Sequence, residues 1–425
     1  MPGSHASERS SVKPRRLTAA LLLAALATVV GGTSAHAERN LIVGVVDDAF
    51  LYQSPQALSY WRDFGRAVRV NMLWRPGYGS FDAMRYSSHL PRLIGSTSST
   101  RIVVSLYAPT AWTQPKSDLD RTLFCNAAGE LVRAYPQVRD VIIGNEPNTK
   151  GFWLPQFNAD GSSAAPAAYT LLLAHCYDVL HAARPDINLV AAATSSRGND
   201  DPRAGSNAGH SPVRFVTEMG KAYRALGRTR PLFDTIDHHP YPLTSAERPW
   251  KQHVDARIAG QGDLDRLVLA YRAAFAGTAQ PTPGRCIAET CVSVWFTENG
   301  FQTRSDSFAA HYAGTETDKR ALPASTDARA VASLAGESSL APDQATQLRD
   351  ALELAYCQPY VTAYFNFQLV DEPGLQGWQA GLLYATWLPK PSYAVFREMQ
   401  NRVQAGAVDC QRFARPLARI RAALR

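Results

Sequence analysis

The stretch DVIIGNEPNTKGFW (140–153) runs an apolar segment into a carboxylate and then stops it with a proline. Val141, Ile142 and Ile143 are apolar and β-branched, the composition of a buried strand. Gly144-Asn145-Glu146-Pro147 closes it, since proline carries no amide hydrogen for a ladder. A second stretch, VSVWFTENGFQT (292–303), has the same grammar and sets Glu298 where Glu146 stood. Folding alone does not call for a glutamate at a buried strand's end. Two of them, 152 positions apart, point to a joint task.

Working outward, six more β-branched runs share this pattern: LIVGVV (41–46), AVRVNML (67–73), RIVVSLY (101–107), INLVAAA (187–193), FDTIDHH (233–239) and VTAYFNF (361–367). Amphipathic stretches such as SPQALSYWRDFGRA and PVRFVTEMGKAYRALG separate them. Eight strands alternating with helices predict an α/β chain whose parallel sheet closes on itself, a (β/α)8 TIM barrel over about 38–405. The competing open sheet usually carries a glycine-rich turn after its first strand, and DDAFLYQS has no glycine. Long inserts follow strands four, five and seven, where barrels build their active sites. Strands four and seven face each other across such a mouth, so Glu146 and Glu298 are expected to converge.

The first 37 residues read as a secretory signal: Lys13, Arg15 and Arg16, an apolar run from Leu17, and a small-x-small site at Ala35-His36-Ala37. Export by either the general or the twin-arginine route is consistent with that pattern. The apolar run is short for a membrane span, so no stable membrane insertion is expected. The net charge of +7 comes mostly from this segment and from QRFARPLARIRAALR (411–425), a stretch with five arginines and no acid. The body between them is close to neutral, which gives nucleic-acid binding no support. Residues 406–425 read as a basic tail, whose arginines form a solvated helix face or else meet an anionic surface.

Six cysteines in an exported chain favour disulfides. Cys286 and Cys291 bracket a short loop and are the expected pair. Pairing of Cys125, Cys176, Cys357 and Cys410 stays open. Their spacings fit no zinc pattern, and no C-x₂-C occurs. His238 and His239 are adjacent, so strand alternation turns only one of them to the barrel mouth, and no third ligand follows. No metal and no cofactor are expected.

Two carboxylates across one mouth suit glycoside hydrolysis, which needs a proton donor for the leaving oxygen and a second carboxylate to attack or to activate water. The ordered motifs GNEPN, HHPY and TENG, each closing an expected strand, resemble those of clan A glycoside hydrolases, including families 5 and 39. That resemblance implies Glu146 as acid/base, Asn145 as ligand of the sugar 2-hydroxyl, and Glu298 as nucleophile. It places His239 and Tyr241 in the substrate site, with the Tyr241 hydroxyl on the nucleophile. Arg69, in VRVNMLW, would lie beneath Glu298, with Arg75 as its rival. GLLYATWLPKPSYAVF (381–396) is similar to the usual ending of such barrels. A tryptophan platform on strand eight is replaced by Phe365 and Phe367, leaving Trp378 or Trp387 to substitute. Trp112, Phe152, Trp153 and Trp378 lie in loops after strands; each can stack on a sugar ring or simply hold its loop down. Glu289 precedes its strand and faces the wrong side. The expectation is a secreted, monomeric, retaining β-glycosidase acting on a poly- or oligosaccharide. A transglycosylase on the same site, or a non-catalytic carbohydrate-binding barrel, is the alternative.

Overall fold

The computed structural model describes residues 41–52, 55–64, 66–96, 100–204, 208–245, 247–285, 287, 290–303, 343–373 and 377–423. The expected signal segment lies outside them, as does Cys286 and with it the expected Cys286–Cys291 pair. Glu289 is outside them too.

Eight parallel strands form a closed barrel: β1 (Ile42–Val46), β2 (Ala67–Leu73), β3 (Arg101–Tyr107), β4 (Val138–Ile143), β5 (Asn188–Ser195), β6 (Thr235–His239), β7 (Ser293–Asn299) and β8 (Val361–Phe367). Each pairs with the next, and β8 closes on β1 through Ile42 to Val46 against Ala363 to Phe367. Between them run α1 (Ala49–Tyr52), α2 (Pro55–Phe64), α3 (Leu90–Gly95), α4 (Asp118–Ala134), α5 (Ala165–Ala183), α6 (Pro212–Ala225), α7 (Leu264–Ala274) and α8 (Gln344–Cys357). The fold is the expected (β/α)8 barrel. β4 ends two residues earlier than its apolar run suggests, because Gly144 (φ 85°) and Glu146 (φ 38°) leave the extended region.

Alternation along each strand separates two cores. Val141 and Ile143 face the helix layer, while Ile142 joins Ala67, Val103, Val190, Trp295 and Phe365 inside the barrel. The same alternation buries Arg69 and Asp237 inside. Caps fix the helix starts: Ser117 Oγ accepts from Asp120 N at 3.1 Å, and an Asp343 carboxylate oxygen accepts from Thr346 N at 2.7 Å.

The described part of the expected basic tail, residues 406–423, is helical from Gln411 and lies on the barrel. After α9 (Pro391–Gln404), helix α10 (Ala414–Ala423) and the turn before it pack on the barrel through Phe413, Leu417 and Ile420. Their spacing of four and three residues makes one apolar stripe, and the arginines fall on other faces. Arg419 pairs with Asp265 at 3.2 Å, and Arg412 with Asp350 at 2.7 Å. Disulfides join Cys125 to Cys176 across α4 and α5, and Cys357 to Cys410 across α8 and the approach to α10. Among the described residues, no helix is long and apolar enough to cross a membrane.

Candidate active site

The site is built on one buried cation. Arg69 is 0% exposed, and its guanidinium, carried on β2, spreads its donors over β3, β7 and the turn after β4. Nη1 donates to Glu298 Oε1 at 2.7 Å and to Thr297 Oγ1 at 3.0 Å. Nη2 donates to Asn145 Oδ1 at 2.8 Å and to Ser105 Oγ at 3.3 Å. A guanidinium cannot accept, so this bond fixes the Asn145 amide and leaves its Nδ2 as the free donor end. Burial alone would lower the Arg69 pKa, but Glu298 and Asp237 outweigh it and hold the group charged. Arg75 instead lies over Tyr78, on the exposed loop after β2.

His239 bridges the two glutamates. Its Nδ1 lies 3.1 Å from Glu146 Oε1 and 3.7 Å from Glu298 Oε2. The two carboxylate oxygens are therefore no further apart than the sum of these distances, about 7 Å. Burial disfavours the imidazolium, yet Glu298, Glu146 and Asp237 together raise the His239 pKa. Tyr241 Oη donates to Glu298 Oε2 at 3.3 Å. His238 points the other way, bonding Thr194 Oγ1 at 2.8 Å and Ala259 O at 2.7 Å, and burial drops its pKa to about 4.

Plain alternation does not bring Glu298 to the mouth, since Trp295 faces the barrel interior and Glu298 lies three residues on. Glu298 lies within a register shift between Phe296 and Asn299 of β7, and such a bulge re-aims a side chain. Glu146 is turned by its own left-handed backbone, held by Glu146 N on Ala193 O at 2.9 Å and Thr149 N on Glu146 O at 2.9 Å.

The cleft above them holds about 590 Å³. Tyr107, Phe152, Tyr241, Phe367 and Trp378 give it aromatic walls. Trp378 leans on Tyr241 (centroids 5.7 Å apart) and meets Phe367 edge-on at 5.3 Å. Trp153 does not serve as a sugar platform. It is 1% exposed and packed edge-on against Tyr169, so neither of its faces is open. Trp112 is 67% exposed, outside the cleft lining, with Lys116 over its ring. Trp387 stacks on Tyr60, and Phe365 lies in the barrel interior.

Sequence reasoning passed over Asp47, Asp48, Asn71 and Glu372, all of which line the cleft. Val46-Asp47-Asp48 carries the same signal as the other two sites, an apolar strand closing on carboxylates. Asp48 accepts from Asn71 N at 2.8 Å. Asp47 accepts from Ala49 N at 2.8 Å, Leu369 N at 3.0 Å and Val370 N at 3.1 Å, tying the ends of β1 and β8 together. Burial pushes Asp47 up to about 7. Among the described residues, no group of three or more potential ligands is placed to hold a metal ion.

The fold and site define a class: parallel eight-stranded barrels with two carboxylates at the strand ends. No family model matches the sequence, and no curated protein does. Among solved structures, the chain is similar to a family 39 glycoside hydrolase from the gut symbiont Bacteroides cellulosilyticus, with TM-score 0.53 and 16% identity over 85% of this chain. It spans 64% of that structure's length. A family 39 enzyme from Xanthomonas axonopodis pv. citri gives TM-score 0.51 at 15% identity, covering 86% of this chain and 67% of that one. A glucosidase from Croceicoccus marinus gives 0.52 at 10% identity, covering 86% and 68%. At these identities the likeness is one of fold.

Proposed function

We propose that the chain is a secreted retaining glycoside hydrolase that cleaves β-linked poly- or oligosaccharide by double displacement. The observation that carries this reading is the asymmetry around two adjacent glutamates. Arg69 Nη1 sits 2.7 Å from Glu298, whereas Glu146 is met by His239. A guanidinium contact suits a carboxylate that must act as an anion. The bound of about 7 Å between facing oxygens admits the roughly 5–5.5 Å of retaining enzymes and only the lower end of the roughly 6.5–9.5 Å of inverting ones.

Glu298 attacks the anomeric carbon while Glu146 gives its proton to the departing glycosidic oxygen. A glycosyl ester on Glu298 results, and Glu146 is now a carboxylate. Glu146 then takes a proton from water as that water attacks the anomeric carbon, and the Glu298 carboxylate leaves. The Asn145 Nδ2 donor faces the ring's 2-hydroxyl, and Trp378 with Phe367 supplies apolar faces for a sugar. No cofactor enters any step. The two described disulfides support export, and a monomer suffices because one chain supplies both glutamates.

Glu298→Ala should abolish turnover on every substrate, with azide restoring product of inverted configuration. Glu146→Ala should spare the first step for activated aryl glycosides and accumulate the glycosyl-enzyme, with azide giving retained product. Opposite azide stereochemistry would reverse the role assignment. Inverted product from the wild type would remove the retaining mechanism altogether.

A further inference from the structure

GLLYATWLPKPSYAVF contributes nothing to the chemistry above, yet it holds a buried ammonium. Lys390, immediately before α9, is 3% exposed. Its Nζ donates to Thr303 Oγ1 at 2.7 Å, Asp371 Oδ1 at 2.7 Å and Gln379 O at 3.0 Å, which uses all three donors of an ammonium. The acceptors belong to three segments: the chain just past β7, the chain just past β8, and the residue beside Trp378.

A buried charge costs several kcal/mol unless it is paired and hydrogen-bonded, so its placement matters. Asp371, 2% exposed, also accepts from Gly381 N at 2.9 Å. A side chain at Gly381 would come within 2.5 Å of Asp371 N, so only glycine fits there. Glu372 N donates to Trp378 O at 2.9 Å, and Trp378 N donates to a Glu372 carboxylate oxygen at 3.0 Å. Thr303 N donates to Gln379 O at 3.0 Å. The turn bearing Trp378 is therefore closed on itself at Glu372 and fastened to the barrel through Lys390 and Thr303. Burial moves the two pKa values towards each other, Lys390 to about 8 and Asp371 to about 6.

We propose that Lys390 is the positioning residue of the aromatic wall: paired with Asp371, it fixes Trp378 against Tyr241 and sets how firmly a glycan is held. Lys390 is absent from the cleft lining, so it acts through Trp378 and touches no substrate. The inference rests on the glycosidase reading, and one of its measurements is independent of activity.

The test uses the full chain with Lys390→Met, Asp371→Asn, Trp378→Ala and the pair Lys390→Met/Trp378→Ala. Kinetics are followed on a β-linked oligosaccharide and on an activated aryl glycoside, and amide hydrogen exchange is followed over 377–383. Lys390→Met should raise KM on the oligosaccharide roughly tenfold, as Trp378→Ala does, with kcat on the aryl glycoside within about twofold of wild type. Adding Lys390→Met to Trp378→Ala should change KM little further, because both act on one contact. Exchange should speed up at Trp378 and Gln379 while the barrel strands stay protected. A wild-type KM in Lys390→Met beside a raised one in Trp378→Ala overturns the proposal, as does an equal loss of kcat on both substrates. If Lys390→Met does not fold, Asp371→Asn decides through hydrogen exchange at Trp378 and Gln379, because Asp371 itself lines the cleft and bears on KM directly; unchanged exchange there overturns the proposal. A wild type that cleaves no glycoside sinks the glycosidase reading, and the exchange result still decides whether Lys390 positions the turn.

Discussion

Glu146 and Glu298 were legible as residues because the chain departs from its own apolar pattern to place them. Their surroundings were less so. The resemblance placed Arg69 beneath Glu298, but its grip on Thr297, Asn145 and Ser105 as well exists only once four strands meet. Asp47 and Asp48 carried the same strand-end signal but no resembling motif to single them out. The loop tryptophans show the limit most clearly. Trp112 and Trp153 look alike in sequence, and the fold exposes one and buries the other. Trp153→Ala should therefore cost about 3–5 kcal/mol of stability, the usual range for emptying a buried aromatic site. Trp112→Ala should change it by less than about 0.5 kcal/mol. Urea denaturation of both variants measures this. Equal losses would mean that Trp153 is not a core residue.

At the scale of elements, the runs and alternation gave strands within about two residues of those observed. What they did not give were the departures at the mouth, the register shift in β7 and the left-handed backbone at Glu146. Both depend on neighbouring strands, so no local pattern encodes them. The connection between β6 and α7 carries another such feature. His253 Nδ1 lies 2.7 Å from an Asp263 carboxylate oxygen, and its Nε2 lies 3.2 Å from Glu247 Oε1. Burial opposes the charged ring, but Asp263 and Glu247 win and raise its pKa to about 9. The folded chain thus keeps a proton that the unfolded chain releases near pH 6.5. This stabilisation is complete below about pH 6.5 and is lost as the pH rises towards 9. The His253 contribution to the unfolding free energy should fall by about 2–3 kcal/mol over that window. His253→Gln should lack that fall; if it declines in parallel with wild type, another group is responsible.

For the whole molecule, the two described disulfides clamp outer helices to each other. They span 51 and 53 residues, loops long enough for each to stabilise by about 4 kcal/mol through unfolded-chain entropy. The double variant Cys125→Ser/Cys176→Ser should lose about that much in denaturant titration under oxidising conditions, and reductant, which opens the Cys357–Cys410 bridge as well, should take the wild type lower still, by about twice that loss. No loss would mean that packing of α4 on α5 alone sets their stability. By itself the sequence determined the closed barrel and the pair of carboxylates at its mouth. Strand periodicity is local, and eight such runs separated by helices have few ways to bury both faces of a sheet. Tertiary structure alone decided which cysteines pair, that residues 410–423 pack as part of the barrel, which tryptophan forms the cleft wall, and that Lys390 stands behind it. Each of these is a contact between segments far apart in sequence, fixed by which faces close packing leaves open, and no window of residues contains that information.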